Sequence, residues 1–251
     1  MTSPAVAFFD LDNTIIKGGS LFHLARGLYR RKFFSRGELA NFFWKHTKFV
    51  VVGRESLADM DSIRAMALRF IAGHRVEEIV SLSEEIVESH ILPKVYDGSR
   101  SLVEDHLKRG EEVWIVTASP QQVADLLAAR LGLTGALGTV AEIKDGVYTG
   151  ELLGPVLHGP HKVTAVRAFA QERGIDLQRC TAYSDSFNDL PLLECVGHPV
   201  AVNADRRLRS LAKRRHWASH DFRRLRHARR LSVPAAIALV LAGLARLRKS
   251  D

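Results

Sequence analysis

Ala5-Val-Ala-Phe-Phe9 runs straight into Asp10-Leu-Asp-Asn-Thr14. Consecutive apolar residues without alternation predict a strand buried on both faces, the kind found inside a parallel sheet. Ligands of such sheets bind beyond the carboxyl ends of the strands. Asp10 and Asp12 are therefore predicted where chemistry is done. Two carboxylates at this spacing can divide labour, one attacking or binding a metal and the other moving protons. The same residues also read as a solvated turn in which Asn13 and Thr14 hydrogen-bond locally. On this segment alone both readings stand.

After the first strand the pattern turns helical. Residues 21–30, 38–52, 56–72 and 76–91 carry helical periodicity, with breaks at Gly53 and Gly73-His74. This predicts a helical insertion over 20–91. Its aromatic residues include Phe22, Tyr29, Phe33, Phe34, Phe42, Phe43 and Trp44, most of which are predicted to fill its own core. Strands and helices then alternate. Helices are predicted at 99–108, 121–131, 162–173, 189–195 and 205–215, and strands at 112–116, 180–183 and 199–202, with a hairpin of 140–143 and 147–153 around Asp145-Gly146. Such alternation implies an α/β, Rossmann-like architecture: a right-handed, mostly parallel sheet flanked by helices on both faces.

A second acidic group, Ser184-Asp185-Ser-Phe-Asn188-Asp189, follows another short apolar strand. Asn188 or Asp189 also reads as a simple helix cap. Thr117 closes a third strand and Lys162 opens a helix. Each is a weak signal by itself, but together they place at one sheet edge what a phosphate and a divalent cation require. A phosphoryl group needs an in-line nucleophile, positive charge and hydrogen-bond donors on its oxygens. Carboxylates with room for water suit Mg²⁺, and the absence of His and Cys from these positions argues against zinc.

With these four motifs in order, residues 5 to about 222 resemble the haloacid dehalogenase superfamily of aspartate-nucleophile phosphatases, in the branch that includes phosphoserine phosphatases. The resemblance implies a catalytic core of residues 1–19 and 92–222, with 20–91 as a helical cap closing over it. It implies that Asp10 attacks phosphorus and that Asp12 protonates the leaving group and later activates water. Thr117, with the Ala118 amide, would bind phosphate oxygens, Lys162 would neutralise charge between nucleophile and phosphate, and Asn188 and Asp189 would orient the site, Asn188 beside the phosphate. Mg²⁺ would be held by Asp10, the Asp12 carbonyl and Asp185. An acid at position 12 also sets the chain apart from true dehalogenases. One departure bears on the substrate: phosphoserine phosphatases carry a glutamate nine residues beyond the nucleophile, and Gly19 stands there. No cap arginine is an unambiguous counterpart of theirs either. The core chemistry transfers, while the substrate stays open among small phosphorylated metabolites such as histidinol phosphate, phosphocholine or a lysophospholipid-type phosphate. A phosphotransferase and a non-catalytic phosphate-binding scaffold are the alternative functions.

Composition bounds the rest. With 251 residues, 46% hydrophobic and 25% charged, the chain is neither disordered nor a disulfide scaffold. The net charge of +8 is uneven: residues 205–251 hold 14 Lys and Arg against 3 Asp and Glu, and residues 1–204 are slightly acidic. A nucleic-acid surface spread over the fold is not expected. Most of the excess belongs to residues 223–251, where basic clusters flank an apolar run, 231–245. That tail reads either as a peripheral anchor on anionic membrane or as a helix docking on the sheet or a second subunit. The run is shorter than the roughly 20 residues that cross a bilayer. Met-Thr-Ser-Pro before the first strand lacks the features of a secretory signal. Cys180 and Cys195 are expected reduced and buried, so a cytoplasmic protein is expected. The oligomeric state is not legible.

Overall fold

The computed structural model describes residues 5–31 and 71–223. The helices expected at 38–52 and over most of 56–72, the aromatic residues 33–44 and the tail from 224 onward lie outside the described residues. Eight strands are described: β1 Val6–Phe9, β2 Glu112–Pro120, β3 Gly135–Thr139, β4 Ala141–Lys144, β5 Val147–Leu152, β6 Thr181–Ser184, β7 His198–Val202 and β8 Ala218–His220. Six form one parallel sheet in the order β3-β2-β1-β6-β7-β8, and β4 and β5 form a separate antiparallel hairpin. The chain starts at the centre, builds outward to β3 and then crosses back to β6. The carboxyl end of β1 is thus a switch point, where a crevice opens between diverging connections.

The unbroken apolar run of β1 is explained by its place. Val6 pairs with Glu112 and Phe9 with both Ile115 and Tyr183, and all four β1 residues are buried. Ala7 and Phe9 join one core with Ile115, Tyr183 and Val202, while Val6 and Phe8 join the other with Ala182, Leu192 and Leu208. A strand between two helical layers has no solvent face to alternate towards.

The described helices are α1 Ser20–Arg30, α2 Val76–Ile86, α3 Asp97–Lys108, α4 Gln121–Leu131, α5 Pro160–Arg173, α6 Leu190–Glu194 and α7 Arg206–Arg214. The predicted helix over 76–91 continues past α2 as a π turn, Val87–Ile91, and then a short 3₁₀ turn. α1 packs on this segment through Gly27, where a β-carbon would come within 2.5 Å of the Ile86 side chain. Phe22, one of the aromatic residues most of which are expected inside, is 49% exposed. Cys180 and Cys195 are buried and free. Among the described residues no helix is long and apolar enough to cross a membrane.

Three features depart from the sequence reading. β3 was not expected, because Gly135 and Gly138 are poor strand formers. Both are there for close approach: a β-carbon on Gly135 would strike the Trp114 ring, and one on Gly138 would strike the Gln121 backbone. β8 is a short exposed edge strand with no apolar signal. β2 continues beyond Val116, with its register against β3 shifted between Val116 and Pro120. Residues 117–119 lie in that irregular stretch, which re-aims side chains as bulges do beside active sites.

Candidate active site

Asp10 is the first residue beyond β1. Its N–H donates to the Tyr183 carbonyl (2.9 Å), extending the β1–β6 ladder by one rung and fixing the carboxylate at the sheet edge. The carboxylate is nearly buried, with the residue 6% exposed. Thr14 Oγ1 donates to Oδ2 (3.1 Å) and Lys162 Nζ donates to Oδ1 (2.5 Å). Lys162 is the third residue of α5, which begins after Gly159 in a positive-φ conformation (φ +51°). A β-carbon on Gly159 would make only ordinary contact with the Asn188 carbonyl (3.4 Å), so it is the positive φ that favours glycine there.

The Lys162 ammonium, 2% exposed as a residue, bridges Asp10 to Asp189 Oδ2 (2.7 Å). Ser184 Oγ donates to that same Asp189 oxygen (2.7 Å). The capping reading of Asp189 therefore fails. Asp189 precedes α6, but its carboxylate turns inward and makes no cap bond. Ser186 caps the preceding 3₁₀ turn, Phe187–Asp189, accepting from the Asn188 N–H (3.2 Å).

Asp12 is tied to the start of α1: the Ser20 N–H donates to its Oδ1 (2.8 Å). Ser20 Oγ lies 2.5 Å from Ser119 Oγ, and Ser119 is joined to Thr117 by its N–H (3.2 Å to Oγ1) and by the Thr117 hydroxyl (3.3 Å). The Ala118 carbonyl accepts from the Thr139 hydroxyl (2.9 Å), which pins the irregular end of β2 to β3. On the other side, the Asp185 carbonyl accepts from the Asp205 N–H (2.8 Å). The Asp205 carboxylate in turn accepts from Phe187 N–H (2.7 Å) and caps α7 at Leu208 (2.8 Å). The Asp185 loop is thereby held while its own carboxylate accepts no hydrogen bond from the described residues.

The structure thus joins Asp10, Lys162 and Asp189 directly, and Asp12 to Thr117 through two serines. Ala118 lies in the irregular end of β2 and Asn188 in the 3₁₀ turn before α6. Ser20, Ser119 and Ser184 belong to this network and were not singled out from sequence; Thr14, read there only as a local turn donor, makes its local bond to the Asp10 carboxylate. Small hydroxyl residues are common in turns; their spacing from the motif residues was the available signal, as with Ser119 two positions after Thr117.

Four carboxylates surround one ammonium. Burial pushes Asp10 up to about 7, against the pull of Lys162. Burial pushes Asp185 up to about 8, helped by the charges of Asp10 and Asp189. Asp12 is also raised by burial, with both hydrogen-bonding groups of Ser20 opposing. A divalent cation inverts this balance by favouring ionised carboxylates. Among the described residues no three His, Cys, Asp or Glu side chains are gathered as a preformed cage. Two carboxylates and a backbone carbonyl are instead what Asp10, Asp185 and Asp12 offer: hard oxygen donors, with an Asp185 carboxylate that accepts no hydrogen bond from the described residues. These residues fit Mg²⁺, which keeps several waters and takes few protein ligands.

Comparison with known proteins gives the family of the chain. The family profile of haloacid dehalogenase-like hydrolases matches residues 7–194. Phosphoserine phosphatase SerB1 of Mycobacterium tuberculosis is 50% identical over 239 residues, covering 95% of this chain and 78% of that protein. Histidinol-phosphatase of Neisseria meningitidis is 31% identical over 222 residues, covering 87% and 99%. A crystal structure of a protein of unknown function from Bordetella pertussis superposes with a TM-score of 0.77 at 28% identity, covering 88% of this chain and all of that one.

Proposed function

The chain belongs to the haloacid dehalogenase-like hydrolases, and from that premise we propose that it is a magnesium-dependent phosphomonoesterase working through an aspartyl-phosphate on Asp10. The observation that carries this reading is the buried Asp10 carboxylate held by Lys162 and Thr14 at the carboxyl end of the central strand.

In the first step a carboxylate oxygen of Asp10 bonds to phosphorus as the ester P–O bond breaks. The departing alkoxide takes a proton from Asp12. In the second step water attacks phosphorus and gives a proton to Asp12. The Asp10–phosphorus linkage then breaks, releasing inorganic phosphate and restoring both carboxyls. Lys162 offsets the charge shared by Asp10 and the phosphoryl group, and Asp189 with Ser184 fixes its ammonium. The Thr117 hydroxyl and Ala118 amide receive phosphoryl oxygens, with Asn188 beside them. Asp10, the Asp12 carbonyl and Asp185 would hold Mg²⁺, which when bound neutralises phosphate charge and keeps the carboxylates ionised.

Residues 1–19 and 92–222 act as the core of this reading and residues 20–91 as its cap. Support comes from α1, which opens the cap segment directly on Asp12 and Ser119. The substrate is a small phosphomonoester; relatives named phosphoserine phosphatase and histidinol-phosphatase support that class. Gly19 supplies no side chain where the phosphoserine branch has a carboxylate. The test is p-nitrophenyl phosphate hydrolysis with Mg²⁺ and with EDTA, in the native chain and in Asp10→Asn. A panel of O-phosphoserine, histidinol phosphate, phosphocholine and a lysophospholipid-type phosphate then ranks substrates. Added alcohol shows whether the acceptor is water. Native turnover in Asp10→Asn would overturn the reading.

A further inference from the structure

Ser20 meets the acid end of the site with two groups at once. It is the first residue of α1, so its N–H is one of the helix-terminal donors that lack a partner within the helix. That donor points at Asp12 Oδ1 (2.8 Å). Its hydroxyl, in a residue only 1% exposed, lies 2.5 Å from Ser119 Oγ on the irregular stretch at the end of β2. Ser119 leads on to Thr117. One buried serine therefore ties the end of β1, the end of β2 and the start of α1 to a single carboxyl. Position 19 completes the arrangement: a β-carbon there would stand 3.7 Å from Asp12 Oδ2, and glycine keeps further side-chain atoms away from that oxygen.

We infer that Ser20, braced by Ser119, is the positioning residue of the proton-transfer carboxyl Asp12, holding Oδ1 so that Oδ2 beside Gly19 carries the proton. The inference rests on the proposed role of Asp12 and adds the device that aims it. Proton transfer needs donor and acceptor within hydrogen-bond reach, and small displacements of a catalytic group lower rates about a hundredfold. Without the Ser20 hydroxyl, the Ser119 brace is lost and the helix start that carries the amide donor is free to shift. The nucleophile keeps its own supports, Lys162 and Thr14, which do not involve Ser20. The defect should therefore appear in leaving-group protonation.

The experiment is a leaving-group series on the full chain with Mg²⁺: phenyl, p-nitrophenyl and 2,4-dinitrophenyl phosphate. These probes differ little in size and strongly in their need for a proton. The quantity is kcat/KM, which covers binding and transfer to Asp10 but not the later hydrolysis. Ser20→Ala should lose about 10- to 100-fold on phenyl phosphate and at least tenfold less on the dinitrophenyl ester, steepening the dependence on leaving-group basicity. Ser20→Thr, which keeps a hydroxyl, should restore the native slope. Ser119→Ala should steepen it in the same direction while Ser20 is intact, giving a second reading should Ser20→Ala fold poorly. Asp12→Asn sets the limiting slope. A uniform loss across all three esters in Ser20→Ala and Ser119→Ala, with a steep slope in Asp12→Asn, would overturn the inference alone. A native slope in Asp12→Asn would overturn both the inference and the acid role on which it rests.

Discussion

Replacing Lys162 by methionine is the perturbation that reads the site's electrostatics most clearly. The ammonium contacts Asp10 Oδ1 at 2.5 Å and Asp189 Oδ2 at 2.7 Å, and all three side chains are at most 8% exposed. Methionine keeps the length and apolar stem of lysine and removes the charge. Two buried carboxylates then lose the cation they share, while Ser184 and Thr14 still donate one bond each. Removing one member of a buried ion pair costs about 3–5 kcal/mol, chiefly because the remaining charge is stranded. Protonation offers relief. Burial holds Asp10 at about 7 with the ammonium present, and without it the carboxyl rises further. Its folded value already exceeds its unfolded value of 3.8 in the native protein, and loss of the ammonium carries the excess above pH 7, where the stability of the variant goes on falling as pH rises. The deficit of Lys162→Met should be wider at pH 8 than at pH 6.5 and pH 5, where native and variant bind the Asp10 proton alike. Urea unfolding of both metal-free proteins at pH 5, 6.5 and 8 measures this. A deficit under about 1 kcal/mol at pH 8, or one that does not change with pH, would refute the electrostatic picture.

Three further outcomes are expected. Mg²⁺ should raise the melting temperature of the native protein, by the equivalent of about 2.7 kcal/mol at a hundred times its dissociation constant; Asp185→Asn should abolish that rise, and an undiminished rise would remove Asp185 from the cation site. Glu111 is held at about 2, first by the Arg109 guanidinium and then by His106, whose Nε2 meets the Tyr183 hydroxyl at 2.6 Å. Glu111→Gln should cost about 1 kcal/mol at pH 7, discounted for the half-exposed arginine. Because the folded value is depressed, this contribution is present above the unfolded value of about 4.5 and is lost as pH falls towards 2, so the cost should shrink between pH 5 and 3 in urea titrations. The leaving-group dependence of Ser20→Ala supplies the third.

What the sequence made legible follows from how local each signal is. The apolar run into Asp10, the proline and glycine bounds of the helices, and the acids after β6 are each encoded within a few residues. They place the parallel sheet, its carboxyl edge and the main charged groups of the site. β3 was missed because its glycines serve contacts with Trp114 and Gln121, which lie elsewhere in the chain. Asp189 was ambiguous because a helix cap and a buried ion-pair partner share the same position before α6. Only the fold, by bringing Lys162 to its carboxylate, decides between them. Ser20 and Ser119 are 99 residues apart, and no local pattern joins them. The departure at Gly19 was visible as an absence of charge, and the structure adds that its place is beside Asp12.

The central claim is a covalent bond between Asp10 and phosphorus. Mixing the enzyme with p-nitrophenyl phosphate and Mg²⁺, quenching in acid within one turnover and mapping the protein by mass spectrometry tests it directly. The peptide containing Asp10 should gain the mass of one phosphoryl group, labile to hydroxylamine as an acyl phosphate is, and Asp10→Asn should show none. A phosphoryl group on any other residue, or none at Asp10 while a burst of nitrophenol is released, would contradict it.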